Sequence, residues 1–209
     1  VLISRPRPLI PFIAETGGVN AMIVDSTALA EQVVRDVLVS GFQSAGQRCS
    51  ALRLLCLQEE IAAPVLRILM GALQEWSVGD PRHLTTDMGP VIDMSQQKAL
   101  LDYISMAKKK YTTLYAGTVP QNDHRPFVPP YIFEIPMVSD LRQEVFGPIL
   151  HVVRFKGPEL SQLVDDINQV GYGLTLGIQS RLESTHALVT SRAKVGNIYI
   201  NRSMTAYMA

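Results

Sequence analysis

Short apolar runs alternate with segments of helical spacing along the chain, and no other feature constrains the fold as strongly. A strand-length run, a helical segment and a second such run form the pattern of parallel βαβ units. The runs that predict strands are residues 21–24, 51–57, 149–155, 174–178 and 197–200. The segments that predict helices follow Asp25 up to Gly46 and then cover 66–76, 95–110, 159–170 and 183–194. The alternation therefore predicts an α/β fold with a largely parallel sheet.

Polar residues and prolines set the predicted boundaries of these elements. Asp25-Ser26-Thr27 is typical of a helix start, and Ser95 can cap the helix that begins there. The basic run Lys108–Lys110 closes that helix, where positive charge suits the negative end of the helix dipole. The proline-rich stretch Pro120–Pro136 is interpreted as a connection within the domain, not as a domain boundary.

Charge and cysteine content exclude several classes of protein. With 19 basic and 19 acidic residues the formal net charge is zero, which favours neither nucleic acid nor an anionic membrane as a partner. No apolar run is long enough to span a bilayer, and no signal peptide is visible. Cys49 and Cys56 are seven residues apart and have no CxxC pair or histidine pair nearby. We therefore expect no disulfide framework, no metal and a cytoplasmic location.

A glycine-rich stretch near the C-terminal end does not have the spacing of a nucleotide-binding motif. Gly171, Gly173 and Gly177 form GxGxxxG, which is one residue longer than a dinucleotide fingerprint. The stretch also leads from a predicted helix into a strand, the reverse of the order that a phosphate-binding loop needs. We interpret it as a helix C-cap followed by a turn.

The two cysteines have different predicted environments. Cys56 lies in the apolar run LRLLCLQ and is expected in the core, where a free cysteine behaves as a small hydrophobic residue. Cys49 follows Gly46-Gln47-Arg48, where a helix gives way to a strand and an arginine could favour the thiolate. On these features alone, a nucleophile and a buried structural sulfur both remain open for Cys49. None of the four histidines has the context of a cysteine hydrolase base; they are His83, His124, His151 and His186.

Three motifs in a fixed order carry a family resemblance. AETGG at 14–18, FQSAGQRC at 42–49 and QEVFGP at 143–148 resemble the catalytic half of the aldehyde dehydrogenase superfamily. The resemblance continues through YGLTLGIQSR and GNIYINR, so it covers nearly the whole chain. QRCSALR and YGLTLGIQSR are most similar to 1-pyrroline-5-carboxylate dehydrogenases, in particular the module within bifunctional proline utilization A proteins. The resemblance implies a three-layer domain over residues 1–209, with helices on both sides of the sheet.

The resemblance also implies a mechanism. Cys49 would add to an aldehyde carbonyl and form a thiohemiacetal, which becomes a thioester when hydride passes to NAD. Glu15 would activate the water that hydrolyses the thioester. The backbone N–H of Cys49 would be one oxyanion donor, and the family's second donor, an asparagine, would lie upstream of this sequence.

Five further residues have roles that the resemblance implies. Glu144 would accept hydrogen bonds from the nicotinamide ribose, Phe146 would pack beside the nicotinamide, and Gly17 would let the cofactor approach the backbone. Ser50 would help to hold the substrate carboxylate, and Arg48 beside it would add favourable charge.

For the whole protein, the resemblance implies NAD-dependent oxidation of L-glutamate 5-semialdehyde to L-glutamate in proline catabolism. The alternative for the whole protein is another aldehyde, such as succinate semialdehyde, and the alternative for this chain alone is a non-catalytic folded module. We expect an NAD-binding domain upstream, FAD only in a proline dehydrogenase domain of a bifunctional parent, and a homo-oligomer. The parent would be cytoplasmic or peripheral at the inner membrane.

The sequence departs from the family pattern at two places. After Asn201-Arg202 the family continues into a glycine-rich loop that anchors the substrate carboxylate, whereas this sequence reads SMTAYMA. Val19 stands where the family has a polar or long side chain after the glycine pair. The first departure, together with the absent upstream half, predicts that this chain alone does not oxidise aldehydes.

Overall fold

The computed structural model describes residues 17–121 and 123–205, and within these ranges the chain forms seven strands and five α-helices. The strands are β1 Asn20–Val24, β2 Leu52–Gln58, β3 Thr112–Ala116, β4 Tyr131–Glu134, β5 Ile149–Phe155, β6 Thr175–Gln179 and β7 Asn197–Ile200. The helices are α1 Ala30–Phe42, α2 Glu59–Gln74, α3 Met94–Lys110, α4 Leu160–Gln169 and α5 Glu183–Arg192. Glu15 and the last four residues of SMTAYMA lie outside the described residues.

All seven strands belong to one sheet, in the order β3-β4-β5-β2-β1-β6-β7. Every neighbouring pair is parallel except β3 with β4, which is antiparallel. The prediction of a largely parallel sheet is therefore confirmed. Our interpretation of Pro120–Pro136 as a connection is wrong for its last part, because β4 lies within it and pairs with β5. Prolines on both sides of this four-residue strand hid the signal.

Two apolar clusters, one on each face of the sheet, produce the three layers. Consecutive residues of a strand point to opposite faces, so Met22 and Val24 join one cluster and Ala21 and Ile23 the other. The first cluster also contains the buried faces of α1 and α2, and the second those of α3, α4 and α5. The three-layer architecture implied by the resemblance is thus confirmed.

Two predicted helix starts are wrong. Helix α1 begins at Ala30, five residues after Asp25, whose Oδ1 instead accepts hydrogen bonds from the Thr27 backbone N–H at 2.8 Å and hydroxyl at 2.6 Å. A turn closed by an aspartate side chain competes with helix capping for the same carboxylate. Helix α3 is capped by Asp93, which accepts from the Gln96 N–H at 2.8 Å, and Ser95 lies inside the helix. The predicted end at Lys110 is confirmed.

The order of the central strands decides which loops meet. Strands β5, β2, β1 and β6 are neighbours and run parallel, so all four begin at the same edge of the sheet. The segments that lead into them are residues 17–19, 43–51, 143–148 and 170–174. Three of these segments contain motifs of the family resemblance, and the fold places them side by side.

The described part of the chain has neither a membrane-spanning helix nor a cluster of metal-binding side chains. None of its helices is long and apolar enough to cross a membrane. Nor does any group of three or more His, Cys, Asp or Glu side chains in residues 17–121 and 123–205 come together as metal ligands would.

A buried histidine lies in the middle of the sheet. His151 of β5 is 0% exposed, and its Nε2 lies 2.6 Å from the Tyr103 hydroxyl oxygen. Its Nδ1 lies 3.3 Å from the Arg53 carbonyl oxygen, which can only accept, so the neutral ring donates from Nδ1 and accepts at Nε2. Burial lowers the pKa of His151 to about 4.

We expect this histidine to make the domain sensitive to mild acid. Between its usual pKa of about 6.5 and the folded value the unfolded chain binds the extra proton, so stability falls as the pH falls through this range. From about pH 7.5 to about pH 5 the loss should be about 2 kcal/mol. Thermal unfolding of the full-length polypeptide should show a smaller acid shift in His151→Phe, whereas the exposed His83→Gln control should behave like wild type. An equal acid shift in wild type and His151→Phe would assign the sensitivity to other groups.

Candidate active site

The loop that leads into β2 has an unusual backbone. Ser44, Ala45 and Gly46 have φ angles of 55°, 53° and 66°, which lie in the left-handed region. Left-handed geometry costs roughly 1–2 kcal/mol per residue that carries a Cβ, so Ser44 and Ala45 are strained and must be held by their surroundings. At Gly46 a Cβ would lie 2.3 Å from the carbonyl oxygen of Gly147, so this position accepts only glycine. The loop before β2 therefore packs directly on the loop before β5.

This loop presents Cys49 at the surface. The Cys49 residue is exposed, and its backbone carbonyl accepts a hydrogen bond of 2.7 Å from Asn20 Nδ2. The same amide nitrogen donates to the Ala51 carbonyl at 2.8 Å, while Asn20 Oδ1 accepts from the Thr175 N–H at 3.1 Å. Asn20 is only 2% exposed, so it fixes the loop to β1 and β6 from inside the molecule.

The second cysteine occupies the core. Cys56 in β2 is 0% exposed and belongs to the cluster that packs against α3, α4 and α5. Burial raises the pKa of its thiol and so disfavours the thiolate. Of the two cysteines, only Cys49 can meet a dissolved reactant in this structure.

The glycine pair of the first motif meets the third motif. The Gly18 N–H donates to Glu144 Oε2 at 3.1 Å, and a Cβ on Gly17 would lie 2.6 Å from the same oxygen. The absence of a side chain at Gly17 therefore leaves space for the Glu144 carboxylate. Glu15 precedes this pair but lies outside the described residues, so its predicted role stays a prediction.

A buried arginine connects the second and third motifs. Arg53 of β2 is 0% exposed, and its Nε and Nη2 donate to Glu144 Oε1 at 3.1 and 2.9 Å. Its Nη2 also donates to the Arg48 carbonyl at 3.1 Å and its Nη1 to the Gly147 carbonyl at 3.3 Å. Burial lowers the pKa of Arg53, and the neighbouring Glu144 carboxylate and Cys49 sulfur oppose this shift. The guanidinium is thus held against the Glu144 carboxylate as a buried ion pair.

Sequence reasoning missed Arg53 and Asn20. We assigned residues 51–57 to a buried strand and gave Arg53 no role, although an arginine inside an otherwise apolar strand needs a buried acceptor. Asn20 stood just before the predicted strand 21–24 and opens a strand whose burial is complete. A polar residue within or at the start of an apolar, buried strand is the sequence feature that could have identified both residues.

The remaining predicted site residues lie around this cluster. Phe146 is half-buried, and Arg53 Cζ lies 5.1 Å from its ring centroid. Ser50 is also half-buried, and its carbonyl accepts from the Thr175 hydroxyl at 3.4 Å. Arg48 is exposed, and its Nε donates to the Ser44 hydroxyl at 3.3 Å. The charge buried in this region is therefore that of Arg53 and not that of Arg48.

The site offers groups that match part of a nicotinamide nucleotide. The Glu144 side chain is 12% exposed, so its carboxylate reaches the surface, where it can accept hydrogen bonds from sugar hydroxyls. Phe146 exposes part of an aromatic ring beside it, and Gly17 adds no side chain. These residues fit the ribose and the flat ring that the resemblance implies.

Comparison with known proteins places this geometry in a family. Residues 3–209 match the sequence profile of the Aldehyde dehydrogenase family. Bifunctional protein PutA of Klebsiella aerogenes is 53% identical over 207 residues, which are 96% of this chain and 16% of that protein.

Solved structures support the same family assignment. The crystal structure of a bifunctional proline utilization A protein superposes with a TM-score of 0.93 at 46% identity, and the match covers 98% of this chain and 20% of that one. The 1-pyrroline-5-carboxylate dehydrogenase from Thermus with bound NAD superposes with a TM-score of 0.84 at 33% identity, over 91% of this chain and 37% of that one. The chain therefore spans well under half the length of these relatives.

Proposed function

The chain belongs to the aldehyde dehydrogenase family, and from this premise we propose that it is the cysteine-bearing part of an enzyme that oxidises L-glutamate 5-semialdehyde to L-glutamate with NAD, in proline catabolism. The observation that carries the proposal is an exposed cysteine in a strained loop. Arg53 donates hydrogen bonds both to this loop and to Glu144, and Glu144 accepts another from Gly18 of the glycine pair. The similarity to PutA and to 1-pyrroline-5-carboxylate dehydrogenase supports this choice of substrate.

We further propose that most of the NAD-binding surface lies elsewhere in a longer polypeptide. The chain corresponds to 16% of the PutA relative and 37% of the Thermus dehydrogenase, so the relatives have further segments that could hold the rest of the cofactor. Activity is therefore to be measured on the full-length polypeptide that contains this chain.

In the proposed mechanism Cys49 is the nucleophile. Its thiolate attacks the aldehyde carbon, a C–S bond forms, and the carbonyl π electrons move to oxygen to give a thiohemiacetal oxyanion. The Cys49 backbone N–H would donate to this oxygen. Asn20 contributes indirectly, because its bonds to the Cys49 and Ala51 carbonyls fix the orientation of the peptide units around the nucleophile.

Glu144 and Phe146 would hold the ribose and nicotinamide ends of the cofactor. The carboxylate accepts hydroxyl hydrogen bonds, and the half-buried ring offers an apolar face. Bound NAD supplies the hydride acceptor that converts the thiohemiacetal into a thioester.

The last step is hydrolysis. Glu15 would take a proton from a water molecule as that water attacks the thioester carbon, and the C–S bond then breaks to release the carboxylic acid and the Cys49 thiolate. Ser50 would donate a hydrogen bond to the distal carboxylate of the substrate, and the exposed Arg48 would add favourable charge.

A substrate panel tests the proposal. With NAD, kcat/KM for L-glutamate 5-semialdehyde should exceed that for succinate semialdehyde and propanal by about tenfold or more. Ser50→Ala should lower kcat/KM for the glutamate semialdehyde by about tenfold and leave propanal oxidation nearly unchanged. Equal kcat/KM for propanal and the glutamate semialdehyde would overturn the substrate assignment, and no NAD-dependent oxidation of any aldehyde would overturn the reaction.

A further inference from the structure

We infer that Arg53 is a positioning residue that holds Glu144 in the orientation in which it receives the cofactor. The inference rests on the proposed function, because it concerns the use of Glu144 in that reaction. It comes from the way in which one buried guanidinium bonds two separate segments of the chain, at Arg48 and at Glu144 with Gly147, and holds a third at Gly18 through Glu144.

The bonds of Arg53 fix one oxygen of Glu144 and leave the carboxylate usable. Nε and Nη2 both donate to Oε1, at 3.1 and 2.9 Å, and the Gly18 N–H donates to Oε2 at 3.1 Å. A carboxylate has about four acceptor positions, so three internal bonds leave room for a hydroxyl from outside. Both oxygens are therefore oriented from inside the protein, and the remaining acceptor position serves the surface.

Burial makes this arrangement obligatory for the arginine. Its side chain is 0% exposed, whereas that of Glu144 is 12% exposed. A buried guanidinium without a counter-charge is strongly disfavoured, so the folded state keeps the carboxylate against it. Among the described residues, Arg53 is also the only cation paired with Glu144.

The planar geometry of the Arg53 guanidinium is needed in addition to its charge. Its other contacts are the carbonyls of Arg48, at 3.1 Å, and Gly147, at 3.3 Å. A lysine ammonium at this position would keep the charge but could not donate in all these fixed directions. Arg53→Lys therefore separates the contribution of charge from that of geometry.

We expect Arg53→Lys to weaken NAD binding while the nucleophile keeps working. In the full-length polypeptide the Kd for NAD, measured by calorimetry, should rise about tenfold, as the loss of charge-assisted hydrogen bonds predicts. Acylation of Cys49 by p-nitrophenyl acetate needs no NAD and should change far less. The exposed Arg154 on β5 pairs with Glu134, so Arg154→Lys is the matched control and should leave Kd unchanged.

A double-mutant cycle tests whether Arg53 acts through Glu144. If it does, Arg53→Lys should add little to the Kd of Glu144→Gln, because the oriented carboxylate is already lost. Fully additive effects, an unchanged Kd in Arg53→Lys, or equal losses of NAD binding and Cys49 acylation would each overturn the inference. The last outcome would mean that Arg53 only maintains the fold.

Hydrogen exchange gives a readout that needs no cofactor. Arg53→Lys should speed exchange in the peptides that carry the Gly18 amide and residues 144–147, since the acceptor of the Gly18 N–H would move. Unchanged exchange in both peptides would overturn the positioning role. If the wild-type polypeptide binds no NAD, the proposed function fails on that result, and the exchange data still decide whether Arg53 orients Glu144.

Discussion

Replacing Cys49 by alanine should lower kcat for aldehyde oxidation about a thousandfold or more in the full-length polypeptide. Without the sulfur no thiohemiacetal can form, and an aldehyde gives up hydride only from such a tetrahedral centre. Because the residue is exposed and its side chain fills no part of the core, folding should be unaffected. The rate is followed through the absorbance of NADH.

Cys56→Ala is the matched control for this substitution. It also removes one thiol, but from a fully buried position in β2. We expect kcat close to that of wild type and a lower Tm, with a loss of about 1 kcal/mol from the small cavity. Aldehyde oxidation that survives in Cys49→Ala, or that disappears equally in Cys56→Ala, would remove Cys49 from the reaction.

Gly46→Ala should cause the largest loss of stability among the loop substitutions. The added Cβ would lie 2.3 Å from the Gly147 carbonyl oxygen and 2.9 Å from that of Gly41, and both obstacles are backbone. The φ of 66° adds further strain for any residue with a side chain. We expect a loss of about 2–4 kcal/mol or a displaced loop, and in either case kcat for aldehyde oxidation should fall at least tenfold.

Gly71→Ala is a control that should change stability in the opposite direction. Gly71 lies inside α2, and apart from the backbone of its own helix a Cβ built there meets no atom within 4 Å. Since alanine is the better helix former, this variant should be more stable by about 0.5–1 kcal/mol and equally active. Thermal unfolding and NADH formation measured on both variants separate the two effects. Similar Tm values for Gly46→Ala and Gly71→Ala would contradict the packing of the two loops.

The fold was largely predictable because most of its strands are apolar and buried. Residues 149–155 were predicted with the right bounds, as all but one of them are buried. Strand β3 gave no such signal, because it is an edge strand with the polar sequence TTLYA and an exposed surface. The start of α1 was misplaced because Asp25 is used in a turn, which depends on neighbours that the local sequence does not specify.

The site was predictable only in part. The motif resemblance pointed to Gly17, Cys49, Glu144 and Phe146, and the parallel strand order brings their three loops together. It did not point to Arg53, whose importance lies in contacts between residues up to 94 positions apart in the chain. Arg48 is adjacent to Cys49 in the sequence and lies exposed beside Ser44, whereas the buried cation of this region is Arg53.

The covalent role of Cys49 can be measured directly by trapping the acyl enzyme. Glu15→Gln in the full-length polypeptide should slow hydrolysis, so L-glutamate 5-semialdehyde and NAD should leave a thioester on the protein. Trypsin cleavage after Arg48, Arg53 and Arg67 separates the two cysteines into CSALR and LLCLQEEIAAPVLR. We predict the added mass of the substrate acyl group on CSALR, only when both aldehyde and NAD are present. The same mass on the peptide of Cys56, or no acyl adduct on CSALR while the wild type turns over, would contradict nucleophilic catalysis by Cys49.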